Sequence, residues 1–275
     1  MVVIDTHCHA SPVFYEPIEC LLFQMDRCGV ERAVLIQMRE QYDNEYLFAC
    51  QRHHPERLAA VVLVDHARAA ATGELERLAE RGAVGLRLAA DARSPGHDPY
   101  AIWRAAEQLQ LVVSCQPSGE ALASDAFRDL VTTVPALRIV VEHLGGQHRL
   151  TPRGQSVERA SGMRLDNPSL ERVLALARFP NVYVKVPGLG EFCERAMPVT
   201  DPFPFLEPIP PILDQFYDAF GADRLMWGSD YPPVSAREGY ANALRFPREY
   251  FASRPRHAQE QIFGGTAASV FTFAS

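Results

Sequence analysis

Four residues of this chain carry side chains that could do polar chemistry together: His7, His9, His143 and Asp230. His7 and His9 stand two positions apart in "MVVIDTHCHA", directly after an apolar run. On an extended strand residues i and i+2 share a face, so both imidazoles can point the same way. Two imidazoles on one face suit a borderline-soft divalent ion such as zinc, and equally suit polarising a bound carbonyl. A bare pair of this kind also fits a loop cap beside a packed ring. His143 closes the run "LRIVVEH" and Asp230 closes "RLMWGSD", so each again sits where a hydrophobic stretch ends.

The elements that must position these residues are short apolar runs alternating with amphipathic stretches. The runs are Val2–Asp5, Ala33–Gln37, Leu58–Asp65, Ala83–Leu88, Leu111–Gln116, Leu137–His143, Asn181–Val186 and Arg224–Asp230. Between them, stretches such as "TGELERLAERG" and "PYAIWRAAEQLQ" have helical spacing, with Gly or Pro near their ends. Runs that are continuously apolar suit a parallel sheet covered on both faces. Eight strand–helix units predict an α/β fold, a single (β/α)8 TIM barrel. An open doubly wound sheet is the competitor, and no Gly-rich phosphate turn follows an early strand. A chain of 275 residues matches one barrel of about 250 residues, so one domain is expected over 1–275. Long loops at about 144–167 and 187–210 are expected at the mouth.

In such a barrel catalytic groups come from the C-terminal ends of several strands. Those ends read His7 and His9, Gln37, Asp65, Arg87, Gln116, His143, Lys185 and Asp230. Burying that set without a use for it would cost desolvation energy. Arg87 could clamp a substrate carboxylate in a two-pronged bond or pair with a loop acid. Lys185 is either a second clamp or a partner for Asp65 or Glu142. Gln37 and Gln116 could bond substrate hydroxyls or close the mouth, and Asn44 and Tyr42 are further substrate-binding candidates. Trp103 and Trp227 read as packing. His148, in the loop after His143, is the other histidine nearest the set.

Composition excludes several classes. The net charge is −7 and the isoelectric point about 5.7, which argues against a nucleic-acid partner. No run of about 18 apolar residues predicts a membrane span. No basic segment with a long apolar core marks a signal peptide, so the expected compartment is the cytoplasm. The six cysteines form no CxxC pair and are expected reduced and mostly buried, Cys8 as barrel packing. The expected partner is a small-molecule substrate, with a homo-oligomer left open.

"DTHCH", "EHLGG", "VYVKVPGL", "MWGSDYP" and "IFGGTAASVF" occur in this order across nearly the whole chain. Together they resemble the amidohydrolase superfamily, most closely the amidohydrolase-related branch that holds the pyrone dicarboxylate and sugar lactonases. A more distant branch holds metal-dependent decarboxylases. The resemblance implies that His7 and His9 are the first-strand pair, His143 the sixth-strand histidine, and Asp230 the eighth-strand acid that binds metal, activates water, or both. It implies a divalent metal, zinc, on His7, His9 and Asp230, although the lactonase branch includes metal-free members. Two departures stand out. Metal-using relatives offer a fifth-strand histidine where this chain has Gln116, and the branch's "DHLGG" is "EHLGG" here. The tail's usual asparagine is Thr266, which is expected to cap a helix start.

Either way the implied reaction is attack of water on a lactone or ester carbonyl of a small carboxylated or hydroxylated substrate. With metal, the ion lowers the pKa of its water. Without it, the histidines donate to the carbonyl oxygen and Asp230 is the base. A metal-dependent decarboxylase of a small unsaturated or aromatic acid is the alternative, against which Gln116 counts. A non-catalytic binding barrel would predict a broken polar set, and this set is intact.

Overall fold

The computed structural model describes residues 2–146, 168–193, 195–205 and 209–274. Eight parallel strands lie in the order β1 to β8: Ile4–Cys8, Arg32–Ile36, Leu58–Val62, Gly85–Ala89, Val112–Gln116, Ile139–Val141, Val182–Val186 and Leu225–Trp227. Helices follow the strands and bury one apolar stripe each; Ala71–Glu80, for instance, buries Ala71, Leu75 and Leu78. A large core fills the space between sheet and helices. A smaller cluster of Ile4, Val34, Ile36, Val61, Val112, Val140 and Met226 is closed by Ala267 and Val270 of the last helix and by Phe271 just after it. That apolar cluster fills the barrel interior, and polar side chains take over toward the C-terminal mouth. Among the described residues no helix is long and apolar enough to cross a membrane.

The β1–β8 seam completes the barrel through bonds other than a regular ladder. Thr6 Oγ1 donates to the Trp227 carbonyl (2.7 Å), Asp230 N–H to the His7 carbonyl (2.8 Å) and His9 N–H to the Tyr231 carbonyl (2.7 Å). Buried Asp5 accepts from the amides of His7 (3.1 Å) and Ser229 (2.8 Å), stitching the two strand ends that carry the site. Gly228 is required there, because a Cβ on it would come within 2.7 Å of His7 Cβ.

The sequence runs place every strand, with one informative shift. β1 continues through His7 to Cys8, past the apolar run that ends at Asp5. Its register breaks between Asp5 and Cys8. Such an irregularity changes which side chains share a face. It lets Ile4 join the interior cluster while His7, three residues on, reaches the mouth. The last helix starts at Thr266, but Thr266 does not cap it. The chain passes through Gln261–Gly265 as a π-turn into Thr266–Val270 without a break, and Thr266 is itself helical. Its hydroxyl instead donates to the Ala222 carbonyl at 3.0 Å.

Candidate active site

The four residues singled out first converge at the mouth. Asp230 Oδ1 lies 3.7 Å from His7 Nε2, 3.6 Å from His9 Nε2 and 3.9 Å from His143 Nε2. His7 and His143 approach to 3.3 Å through their Nε2 atoms. All four are buried. His143 and Asp230 sit in the left-handed region with φ of 50° and 59°, and Leu144 follows at 50°. A non-glycine residue held there is strained, and such strain gathers at functional sites. At His143 the turn ends β6 and swings the ring over the barrel.

Each ring is aimed by a different partner. His9 Nδ1 faces the Ile36 carbonyl at 2.7 Å. A carbonyl only accepts, so Nδ1 carries a proton. His143 Nδ1 lies 2.6 Å from Glu191 Oε1. Burial lowers the His143 pKa, but the Glu191 and Asp230 carboxylates more than offset that and raise it. His7 Nδ1 lies 3.2 Å from Lys185 Nζ. An ammonium only donates, so His7 carries its proton on Nε2 and presents an N–H to Asp230. Burial, then the Lys185 charge, push His7 well below the ordinary histidine pKa. Asp230 is raised by burial, yet His143, His9 and Arg237 hold it below the usual carboxylate range, so it is ionised at neutral pH.

Beneath the rings lies a second buried set. Arg87 donates to both oxygens of Glu142, at 3.1 and 2.8 Å, and to the Gln37 carbonyl at 2.9 Å. Ser114 donates to Glu142 at 2.8 Å and accepts from Lys185 at 2.8 Å. Burial opposes ionisation of Glu142, but Arg87 and Lys185 win and bring its pKa to about 2. Lys185 is lowered to about 8, mainly by burial. Arg87 is therefore an ion-pair partner of the strand-end acid Glu142. Lys185 bonds Ser114 and His7, and neither Asp65 nor Glu142 accepts from it directly. Glu142, in the place of the usual aspartate, supplies the extra methylene that stands between the backbone and Arg87.

The amide candidates divide. Gln37 donates to the Asp43 carbonyl and Asn44 Oδ1 and accepts from Met38. Asn44 donates to the Tyr42 and Leu63 carbonyls and accepts from Leu63 N–H. Both side chains hold the β2 loop. Tyr42 is exposed, and Gln116 ends β5 half-buried. The part of the long loop 187–210 that is described delivers Glu191. Most of the loop 144–167, including His148, lies outside the described residues.

Three residues escaped the sequence reading. Glu191 follows β7 and Arg237 follows β8, and both touch the site: Arg237 Nη1 is 2.9 Å from Asp230 Oδ2 and 3.4 Å from Glu191 Oε1. Tyr15 packs its ring 5.6 Å from that of His9. None ends an apolar run, so position along a strand offers no signal for them.

The residues also meet part of what a metal needs. His7, His9 and Asp230 place one ligand atom each within 4.8 Å of one another, and the donor types suit a divalent ion. A ligating histidine donates its other N–H to an acceptor. His9 satisfies this on Ile36, whereas His7 satisfies it only when Lys185 is uncharged. Lys185→Met is accordingly expected to tighten zinc binding at least tenfold, about the size of an outer-shell effect. Calorimetric titration with zinc checks it, and unchanged affinity contradicts it.

The amidohydrolase family model matches residues 4–273. The chain belongs to the amidohydrolase family. It is an enzyme, and relatives that it resembles are named for lactones. A 4-sulfomuconolactone hydrolase from Rhizobium radiobacter is 26% identical over 243 residues, covering 84% of this chain and 70% of the relative. An L-fucono-1,5-lactonase from Burkholderia multivorans is 33% identical over 99 residues, 35% of this chain and 32% of the relative. A crystal structure of a Burkholderia multivorans amidohydrolase with bound zinc superposes over 100% of both chains, with TM-score 0.74 and 20% identity. That likeness bears on the fold.

Proposed function

We propose that this amidohydrolase hydrolyses a lactone or related ester of a small carboxylated or hydroxylated molecule, with Asp230 as the base. The observation that carries this reading is the convergence of three imidazoles on Asp230 Oδ1. His9 Nε2 stands 3.6 Å from Asp230 Oδ1. His7 Nε2–H, fixed by Lys185, points at the same space as a donor.

A lactone carbonyl oxygen placed against His7 and His143 accepts from them as it gains charge, where preorganised donors contribute most. Water oxygen bonds to the carbonyl carbon while its proton passes to Asp230. The ring C–O bond then breaks, and the departing alkoxide takes that proton from Asp230, giving the open hydroxy acid. A divalent ion, zinc by donor type, would be held by His7, His9 and Asp230 and would lower the pKa of a bound water. The family names of the relatives support the lactone reading. Proton release from a panel of five- and six-membered lactones, with and without carboxylates, tests it. Turnover above the uncatalysed rate on at least one is expected, and none across the panel contradicts it.

A further inference from the structure

We infer that Arg237 is a positioning residue of this site, fixing which oxygen of Asp230 faces the histidines and tying Asp230 to His143 through Glu191. The inference rests on the proposed role of Asp230 as base. The geometry that carries it is a division of labour in one carboxylate. Oδ2 accepts from Arg237 Nη1 at 2.9 Å, and Oδ1 is the oxygen set against all three imidazoles, at 3.6 to 3.9 Å. A carboxylate free to rotate about its Cβ–Cγ bond would exchange the two oxygens. A guanidinium N–H on one of them forbids it.

The same Nη1 lies 3.4 Å from Glu191 Oε1, the atom that faces His143 Nδ1. One nitrogen therefore touches the groups that set both the base and the His143 ring. The arginine is itself braced. Its Nε lies 3.5 Å from Glu238 Oε2, and Glu238 accepts from Gly190 N–H at 3.1 Å. A Cβ at Gly188 or Gly190 would collide with the Glu238 carboxylate, so these two glycines after β7 form its bed. Arg237, Glu238 and Glu191 thus join the loops after β7 and β8 behind the site, with no contact to a reacting atom required.

Steady-state kinetics on a turned-over lactone, joined to a crystal structure of the variant, test this. R237Q is expected to lower kcat about 100-fold with KM within about threefold, the scale of a small misplacement of a catalytic group. R237K, which restores a donor to Oδ2, is expected to recover at least about tenfold of that loss. A kcat within about threefold of wild type, or a loss confined to KM, overturns the inference. Should R237Q not fold, E191Q, which cuts only the arm to His143, is expected to lower kcat about tenfold, and unchanged kcat overturns the inference. If the wild type turns over no lactone, the hydrolase reading falls and the crystal structure decides Arg237 alone. An Asp230 carboxylate rotated out of reach of the histidines in R237Q supports the inference, and Asp230 and His143 left in place overturn it.

Discussion

Asp230→Asn is expected to lower kcat on any lactone this protein opens by about 10³-fold or more, within the range that general base catalysis contributes. Asparagine fills the same space and can still accept from Arg237 through its oxygen, so the fold and the loop after β8 should survive. The amide has no oxygen to spare as a base, and it cannot take the proton from water. Asp230 is ionised for that step because the rise that burial brings is outweighed by His143, His9 and Arg237. A melting temperature near that of wild type together with the kcat loss is the expected pair of results. Near-native turnover in the variant removes Asp230 as base.

Arg87→Met should act on stability. Arg87 spends its donors on Glu142 and the Gln37 carbonyl, and Glu142 is fully buried. Removing the arginine leaves a buried carboxylate without its main partner, a loss of about 3–5 kcal/mol. Urea unfolding at pH 7 measures it, and a double variant Arg87→Met, Glu142→Leu should recover most of the loss because both charges are then gone. The acid limb gives an independent reading. The Glu142 pKa falls from an ordinary 4.5 to about 2 on folding. A carboxylate lowered in this way contributes stability that is fully present above its unfolded pKa. That contribution is lost as pH falls through the interval from 4.5 toward 2. The wild type should therefore lose stability across that window and Glu142→Gln should show a shallower slope there. An Arg87→Met protein of unchanged stability with a raised KM would make Arg87 a substrate clamp instead.

The barrel was legible because each strand is an apolar run of the right length and each helix carries one apolar stripe. The heart of the site was legible for a related reason: His7, His9, His143 and Asp230 all stand where an apolar run gives way to polar residues. What the sequence did not disclose is how those rings are aimed. The register break in β1 and the left-handed backbone at His143 and Asp230 are tertiary outcomes. Glu191 and Arg237 lie in loops and meet only because β7 and β8 are neighbours. Arg87 and Lys185 were visible as strand-end cations, but their partners were not. Arg87 faces Glu142 from 55 residues away, and the proton that Lys185 places on His7 is a property of the folded contact.

Hydrolysis in oxygen-18 water tests the central claim most directly. In a single turnover on an active lactone, the account predicts one oxygen-18 in the new carboxylate and none in the released hydroxyl, because water attacks the carbonyl carbon and the ring oxygen leaves with its carbon. Label in the hydroxyl, a product with no label, or release of carbon dioxide would each contradict attack of Asp230-activated water on the carbonyl.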